Sequence, residues 1–198
     1  MLSDVKKTIR EGLKIVLRSK ILVSLIAVAL IASFSYEIVD MFWQIHFSEN
    51  LHIDVHYYGF MVAFSFLVTI FFASHVSKLS GIIGEVKMLI LLEFIVFLST
   101  ILIGVAQENI VVIGAFISWQ AFKSFKEPIF SEYSNRYIPS KERATLISLL
   151  NLVGSMGEVL CALSIGALAL ILSISSLFLL SAVLLLLIIA ILFRLKAY

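Results

Sequence analysis

Charge is scarce in this sequence of 198 residues. Only 14% are Asp, Glu, Lys or Arg, while 61% are hydrophobic. Soluble domains carry about 25% charged residues, so the shortfall excludes an ordinary water-soluble domain and points to an integral membrane protein. The formal net charge of +2 is too small for a nucleic-acid-binding surface. Cysteine occurs once, as Cys161 in an apolar run, which excludes an intrachain disulfide and leaves the redox compartment open. A secretory leader is not expected: residues 1–20 are basic and amphipathic, and no small-residue cleavage site follows the first apolar run. Gly-x-Ser-x-Gly, His-Glu-x-x-His and a credible metal-ligand set are all missing, so neither an enzyme, a cofactor nor a metal is expected. Paired Asn-Pro-Ala motifs of an aquaporin-type channel are missing too.

What is present is a series of long apolar runs. A span needs about 20 mostly apolar residues. Six segments qualify: Ile21–Ile45, Tyr57–Val76, Met88–Ala106, Ile110–Ser134, Thr145–Leu170 and Ser173–Phe193. The runs are continuous rather than alternating, so helices are expected and barrel strands are not. The connections are short, so neighbours should pack antiparallel. The expected organisation is a cytoplasmic basic linker over 1–20 and a six-helix bundle over 21–198. In the linker, Leu2, Val5, Ile9, Leu13, Val16 and Leu17 recur at helical spacing opposite the basic residues. That suits a helix lying on an anionic lipid surface, and equally a linker that only sets topology.

Orientation follows from where the cations lie. Of the 15 Lys and Arg residues, all but Lys123 and Lys126 fall on one side of the six-span layout. The opposite connections, "HFSENLHIDVH", "QEN" and "LSIS", contain none. The positive-inside rule then puts both termini in the cytoplasm of a multi-pass plasma or inner membrane protein.

Ionisable residues inside hydrocarbon mark functional sites by default. The first span carries Ser33, Glu37, Asp40 and Gln44 on one face. Glu37 lies about 24 Å and Asp40 about 28 Å from the cytoplasmic end. Glu37 reads as a cavity-wall carboxylate or a headgroup carboxylate; Asp40 reads as the latter. The fourth span carries Gln120, Lys123, Glu127 and Ser131 on one face, with Pro128 inside it. Lys123 and Glu127 are spaced for an intrahelical pair, and Lys123, about 20 Å below the outer surface, is explained less readily by snorkelling than by a cavity-facing role. Lys126 is expected to snorkel to the cytoplasmic side. Pro128 should bend the helix at a cavity-facing position. The fifth span repeats the pattern with Ser148, Asn151, Ser155 and Glu158, and Gly154, Gly157 and Gly166 allow close helix approach. Glu158 reads as a proton- or cation-binding carboxylate, or as a neutral carboxyl bonded to a neighbouring helix. The second span offers Ser65 and Thr69 on one face. In the third, Glu93 is expected to snorkel or pair with a basic loop residue. His46, His52 and His56 are expected to be solvated. Spans one, four and five, with a faint contribution from two, should line a wet path, and three and six should face lipid.

The chain resembles the C-terminal half of a major facilitator superfamily transporter of the drug/proton antiporter kind, over essentially its whole length. The stretch "NRYIPSKERATLISLLNLVGSMGEVLCALSIGALA" is similar to the tenth-helix exit, loop and eleventh helix of that family. "FWQIHFSENLHIDVHYYGFMVA" resembles its seventh helix, outer loop and eighth-helix start, and "IREGLKIVLRSKIL" the linker before the seventh. Two departures are plain. The family builds its path from two six-helix halves, and this chain matches one. The family's loop signature of Gly, Asp and Arg/Lys survives only as "SKLSGIIGEVKML". The resemblance implies secondary transport of a small solute, proton-coupled through Glu37 or Glu158, with the solute touching Gln44, Gln120, Lys123 and Asn151. Its partners would be the lipid bilayer, the solute, and a separate N-terminal half or a second copy; no nucleic acid is expected. The competing reading is a truncated, non-transporting product or a helical interaction module.

Overall fold

The computed structural model describes residues 16–196, and within them every regular element is helical. Residues 1–15 of the expected amphipathic linker lie outside the described residues. Six long helices follow one another: α1 (Lys20–Ile45), α2 (His56–Ile83), α3 (Glu85–Val105), α4 (Asn109–Tyr137), α5 (Arg143–Leu168) and α6 (Ile174–Leu195). A π-helical turn, His46–Asn50, extends α1, and a 3-10 turn, Ser140–Glu142, leads into α5. Five of the six helices are long and apolar enough to cross a bilayer. The exception is α4, which is long enough but carries Lys123, Lys126, Glu127, Glu132 and Arg136.

The helix ends follow local chemistry. Ser19 caps α1 by accepting from the Leu22 amide at 3.4 Å, and Ser173 caps α6 by accepting from the Ser176 amide at 3.2 Å. α2 runs past the expected end at Val76 to Ile83, so Lys78 is helical rather than in a loop. The turn to α3 then consists of Gly84 alone, at φ 91° and ψ 147°, a conformation side-chain-bearing residues avoid. α4 continues unbroken through Pro128, which supplies no amide to the Ser124 carbonyl.

The core places α3 against α4 and α6, α1 against α5 and α6, and α2 against α4. Leu92, Val96, Ile103, Val112, Leu185 and Ile188 are all fully buried in it. α1 and α6 are stapled by Ser35 and Ser181, whose hydroxyls lie 2.8 Å apart and donate reciprocally to each other's carbonyls. Where α1 crosses α5 the backbones nearly touch: a Cβ on Gly157 would stand 2.6 Å from the Leu30 carbonyl oxygen. Only glycine permits that approach.

α3 and α6 are the most covered of the five apolar helices, with 50% and 44% of their apolar windows buried. Each still keeps an exposed apolar face, with Leu91, Phe94 and Leu98 on α3 and Val183, Leu186 and Leu187 on α6. α2 and α5 are the least covered, at 11% and 22%. The expectation for His46 is corrected. The residue is buried, with Nε2 3.0 Å from the Ile103 carbonyl, and its ring meets Phe178 edge-on. Because the π turn folds His46 back over α3, it never reaches solvent; His52 and His56 are exposed as expected.

Candidate functional site

α4 and α5 diverge beside α1, leaving a cleft of about 360 Å³. Its polar lining comes from the three striped helices: Ser33 and Tyr36 from α1, Glu127 and Ser131 from α4, and Asn151, Ser155 and Glu158 from α5. The spacings of three and four place the α4 and α5 groups on single faces, and helix packing brings those faces to one cleft with Ser33 of α1. α2 takes no part. Ser65 and Thr69 donate to the carbonyls of Met61 and Ser65 within their own helix. The turn end of the bundle is filled by aromatics: Trp43 stacks on Phe116 with ring centroids 4.4 Å apart, and Phe47 and Tyr58 close around them.

Two lysines of α4 dominate the electrostatics. Lys126 does not snorkel. Its Nζ donates to the Tyr36 hydroxyl at 2.6 Å and to Glu93 Oε2 at 2.8 Å, and the Tyr36 hydroxyl donates to the same Oε2 at 2.9 Å. The Lys126 and Glu93 side chains are 8% and 0% exposed. This overturns the expectations for both residues: Glu93 is paired in mid-bundle with a helix residue, not with a loop cation. Two charges in hydrocarbon lower each other's cost most when they meet directly, and the phenol supplies a further hydrogen bond. Glu93 Oε1 remains buried without a partner.

Lys123 pairs with Asp40 of α1 at 2.8 Å, rather than with Glu127 on its own helix. Its ammonium sits 4.2 Å from the Trp119 ring centroid. Asp40 therefore has a partner and is not merely a headgroup carboxylate. Glu37 is half-buried beside this pair, within electrostatic reach of Asp40, Glu158 and Lys123.

The remaining sequence candidates separate. Asn151 and Glu158 line the cleft, while Lys123 and Glu37 stand above it towards the turn end. Gln120 is partly buried, with Oε1 lacking a partner, and Gln44 is exposed; neither lines the cleft. Sequence reasoning missed Glu93, Tyr36, Ser134 and Asn135. One signal for Glu93 was available: a lone acid in an apolar span requires a cation, and Lys126 was the lysine left without an assigned partner.

A second ion pair closes the end where α3 begins. Arg136 meets Glu85 at 2.5 Å and Glu132 at 3.7 Å, tying the start of α3 to the end of α4. Outside the bundle, Asp54 accepts from His56 at 2.8 Å, and this hydrogen bonding holds the Asp54 carboxyl below its ordinary value.

Comparison with known proteins places this architecture. The family model described as Major Facilitator Superfamily matches residues 25–197. The chain belongs to the major facilitator superfamily. A major facilitator relative, the "Uncharacterized MFS-type transporter YxaM" of Bacillus subtilis (strain 168), is 26% identical over 190 residues. The match takes in 92% of this chain and 46% of YxaM, so the chain spans about half the length of the curated relative it matches. No solved structure matches it.

Proposed function

We propose that this chain is one half of a secondary transporter and that the cleft is its share of the solute path. The observation that carries this reading is the meeting of three polar helix faces, on α1, α4 and α5, around one cleft. Family membership supports solute transport through a membrane. In this reading α4 is the sixth span, its charges satisfied inside the bundle by Asp40 and Glu93. Both termini are cytoplasmic, so the cleft, sited away from the aromatic-filled turn end, opens inward. Glu37 and Glu158 are the proton carriers. The solute contacts Asn151 and Lys123 first, and Gln120 and Gln44 farther out along the path.

A path of this family is enclosed by two six-helix halves. In this reading the complementary six-helix half, whichever polypeptide carries it, seats against the sparsely covered α2 and α5. The test is solute flux in vesicles holding the chain alone, and the chain with a six-span N-terminal half. Flux is expected only with the second half or with a dimer. Glu158→Gln should remove its dependence on a pH gradient, and retained dependence would reject Glu158 as carrier. A non-transporting interaction module is the second reading, favoured by the sparsely covered α2 and α5. Vesicles showing no flux under either condition would establish it.

A further inference from the structure

The turn end of the bundle holds a titratable ring that the cleft does not use. His46, at the start of the π turn, is 3% exposed. Its Nε2 lies 3.0 Å from the carbonyl of Ile103, in the last turn of α3. That carbonyl would need the amide of Gln107, past the end of the helix at Val105, so α3 itself leaves it without a partner. A carbonyl only accepts, so Nε2 carries the proton and donates, and Nδ1 carries the lone pair. His46 is therefore a side-chain cap for α3. Its ring also meets Phe178 of α6 edge to face, with centroids 5.2 Å apart. One imidazole thus ties together the ends of α1, α3 and α6.

The other ring nitrogen has nothing to meet. Nδ1 is buried with no hydrogen-bond partner. No ionisable group faces it: α3 presents Ile103 and α6 presents Phe178. On its own helix and turn, Asp40 is held by Lys123, and Glu49 is exposed. Asp54 and Glu108, the other acids of this end, are exposed as well, and Asp54 pairs with His56. A second proton on the ring would put an unpaired charge and an unmet N–H into apolar packing. The terminal dipole of α3 favours a cation there, but by less than a sealed, unpaired charge costs. With the turn open, water meets both nitrogens. The open form therefore takes up a proton more readily than the shut one, and acid favours opening.

The chain over the ring is held in an uncommon form. Residues His46–Asn50 make a π turn, and His52 sits at φ 53°, a left-handed conformation that costs a side-chain-bearing residue. Three bonds hold the segment down. The Ile53 amide donates to the Phe47 carbonyl at 2.8 Å, and the Tyr58 hydroxyl lies 3.0 Å and 3.3 Å from the Gln44 and Ile53 carbonyls. Strain of this kind persists only while its surroundings enforce it.

We propose that His46 is an acid-released latch: the neutral ring caps α3 and holds the turn shut, and the protonated ring lets residues 46–55 lift from the bundle. Lifting uncovers Trp43, Phe47 and Tyr58, the aromatics that fill this end. The latch stands whether or not the cleft carries a solute, and its proton stays on the ring rather than crossing the bundle.

The test is the labelling rate of Ile53→Cys, a position 6% exposed, by a small methanethiosulfonate reagent. The full chain is used in lipid nanodiscs, in the Cys161→Ala background. Dividing by the rate of Asn50→Cys, exposed on the same turn, cancels the thiol's own titration. The ratio should rise about tenfold from about pH 7.5 to about pH 5.5, the gain in open population for an imidazole that titrates normally only when open. His46→Gln keeps an N–H for the Ile103 carbonyl and cannot titrate, so its ratio should not change with pH, whether its turn is shut or open. The other three of the four histidines are the controls. His52→Gln, His56→Gln and His75→Gln should each keep the rise, which identifies His46 even if its own variant fails to fold. Ser35→Cys, fully buried between α1 and α6, should stay unlabelled at both pH values in the otherwise native chain. A flat native ratio, a rise that survives in His46→Gln or disappears in any control variant, or acid labelling of Ser35→Cys would each overturn the latch.

Discussion

Lys123 and Lys126 lie one turn apart on α4, yet they occupy opposite physical regimes. Lys126 turns into the bundle, where Glu93 and Tyr36 enclose it. Lys123 leans over Trp119 toward Asp40, a carboxylate that is 40% exposed. A buried pair is rigid because neither charge has an alternative partner. A half-solvated pair exchanges one side for water at little cost. Lys126 therefore holds the fold, while the Lys123 pair keeps one side open to solvent. Together they show how little one lysine predicts another in a membrane helix: the face decides, and the face is set by which neighbour carries the acid.

The sharpest way to break the comparison is to orphan Lys126. Glu93→Leu should destabilise the chain by about 3–5 kcal/mol, read as a large drop in its unfolding midpoint in detergent. Adding Lys126→Leu should restore most of that loss, because a matched apolar pair replaces a matched ionic one. A single variant as stable as wild type would remove the triad from the fold's support. Next comes the seam that positions the α1 wall of the cleft. Gly157→Ala drives a methyl into the Leu30 carbonyl and should cost about 1–3 kcal/mol by the same readout. Gly166→Ala, with open space around its Cβ position, is the control and should change the midpoint far less.

Lys123→Leu sharpens the other side of the comparison. Its stability effect should stay within about 1 kcal/mol, as for other solvated pairs, while solute flux should vanish with membrane insertion intact. Unchanged flux would take Lys123 out of the path. The smallest effect belongs to the Asp54–His56 pair outside the bundle. Because the Asp54 carboxyl is held below its ordinary value, its stabilisation is present above the unfolded value and is lost as pH falls through the folded one. Wild type and Asp54→Asn should therefore share an unfolding midpoint in acid, with any difference confined to neutral pH.

Much of this arrangement was legible in the residues. Hydrophobic runs gave the six helices to within a few residues, except at α2, where Gly84 rather than the last apolar residue ends the element. The polar spacings on α1, α4 and α5 located the cleft's walls, because a face with period 3.6 is a local property of one helix. The pairings were not legible. Lys123 had an acid four residues away on its own helix, and its choice of Asp40 depends on how α1 crosses α4. Glu93 looked isolated because its partner lies on another helix. His46 looked solvated because the π turn that buries it has no recognisable sequence signal. How fully α3 and α6 pack on their inner sides was not legible for a related reason: a helix with few polar groups suits lipid and a protein core equally.

The most direct test of the converging faces is solvent access measured one residue at a time. Ser131→Cys, Asn151→Cys and Ser155→Cys, each in the Cys161→Ala background, would be exposed in membranes to a small charged methanethiosulfonate reagent. Leu163→Cys, on the outward face of α5, and Ser35→Cys, fully buried, serve as references. The account predicts fast and similar modification at the first three positions and almost none at the references. Positions 131, 151 and 155 reacting as slowly as position 163 would contradict it.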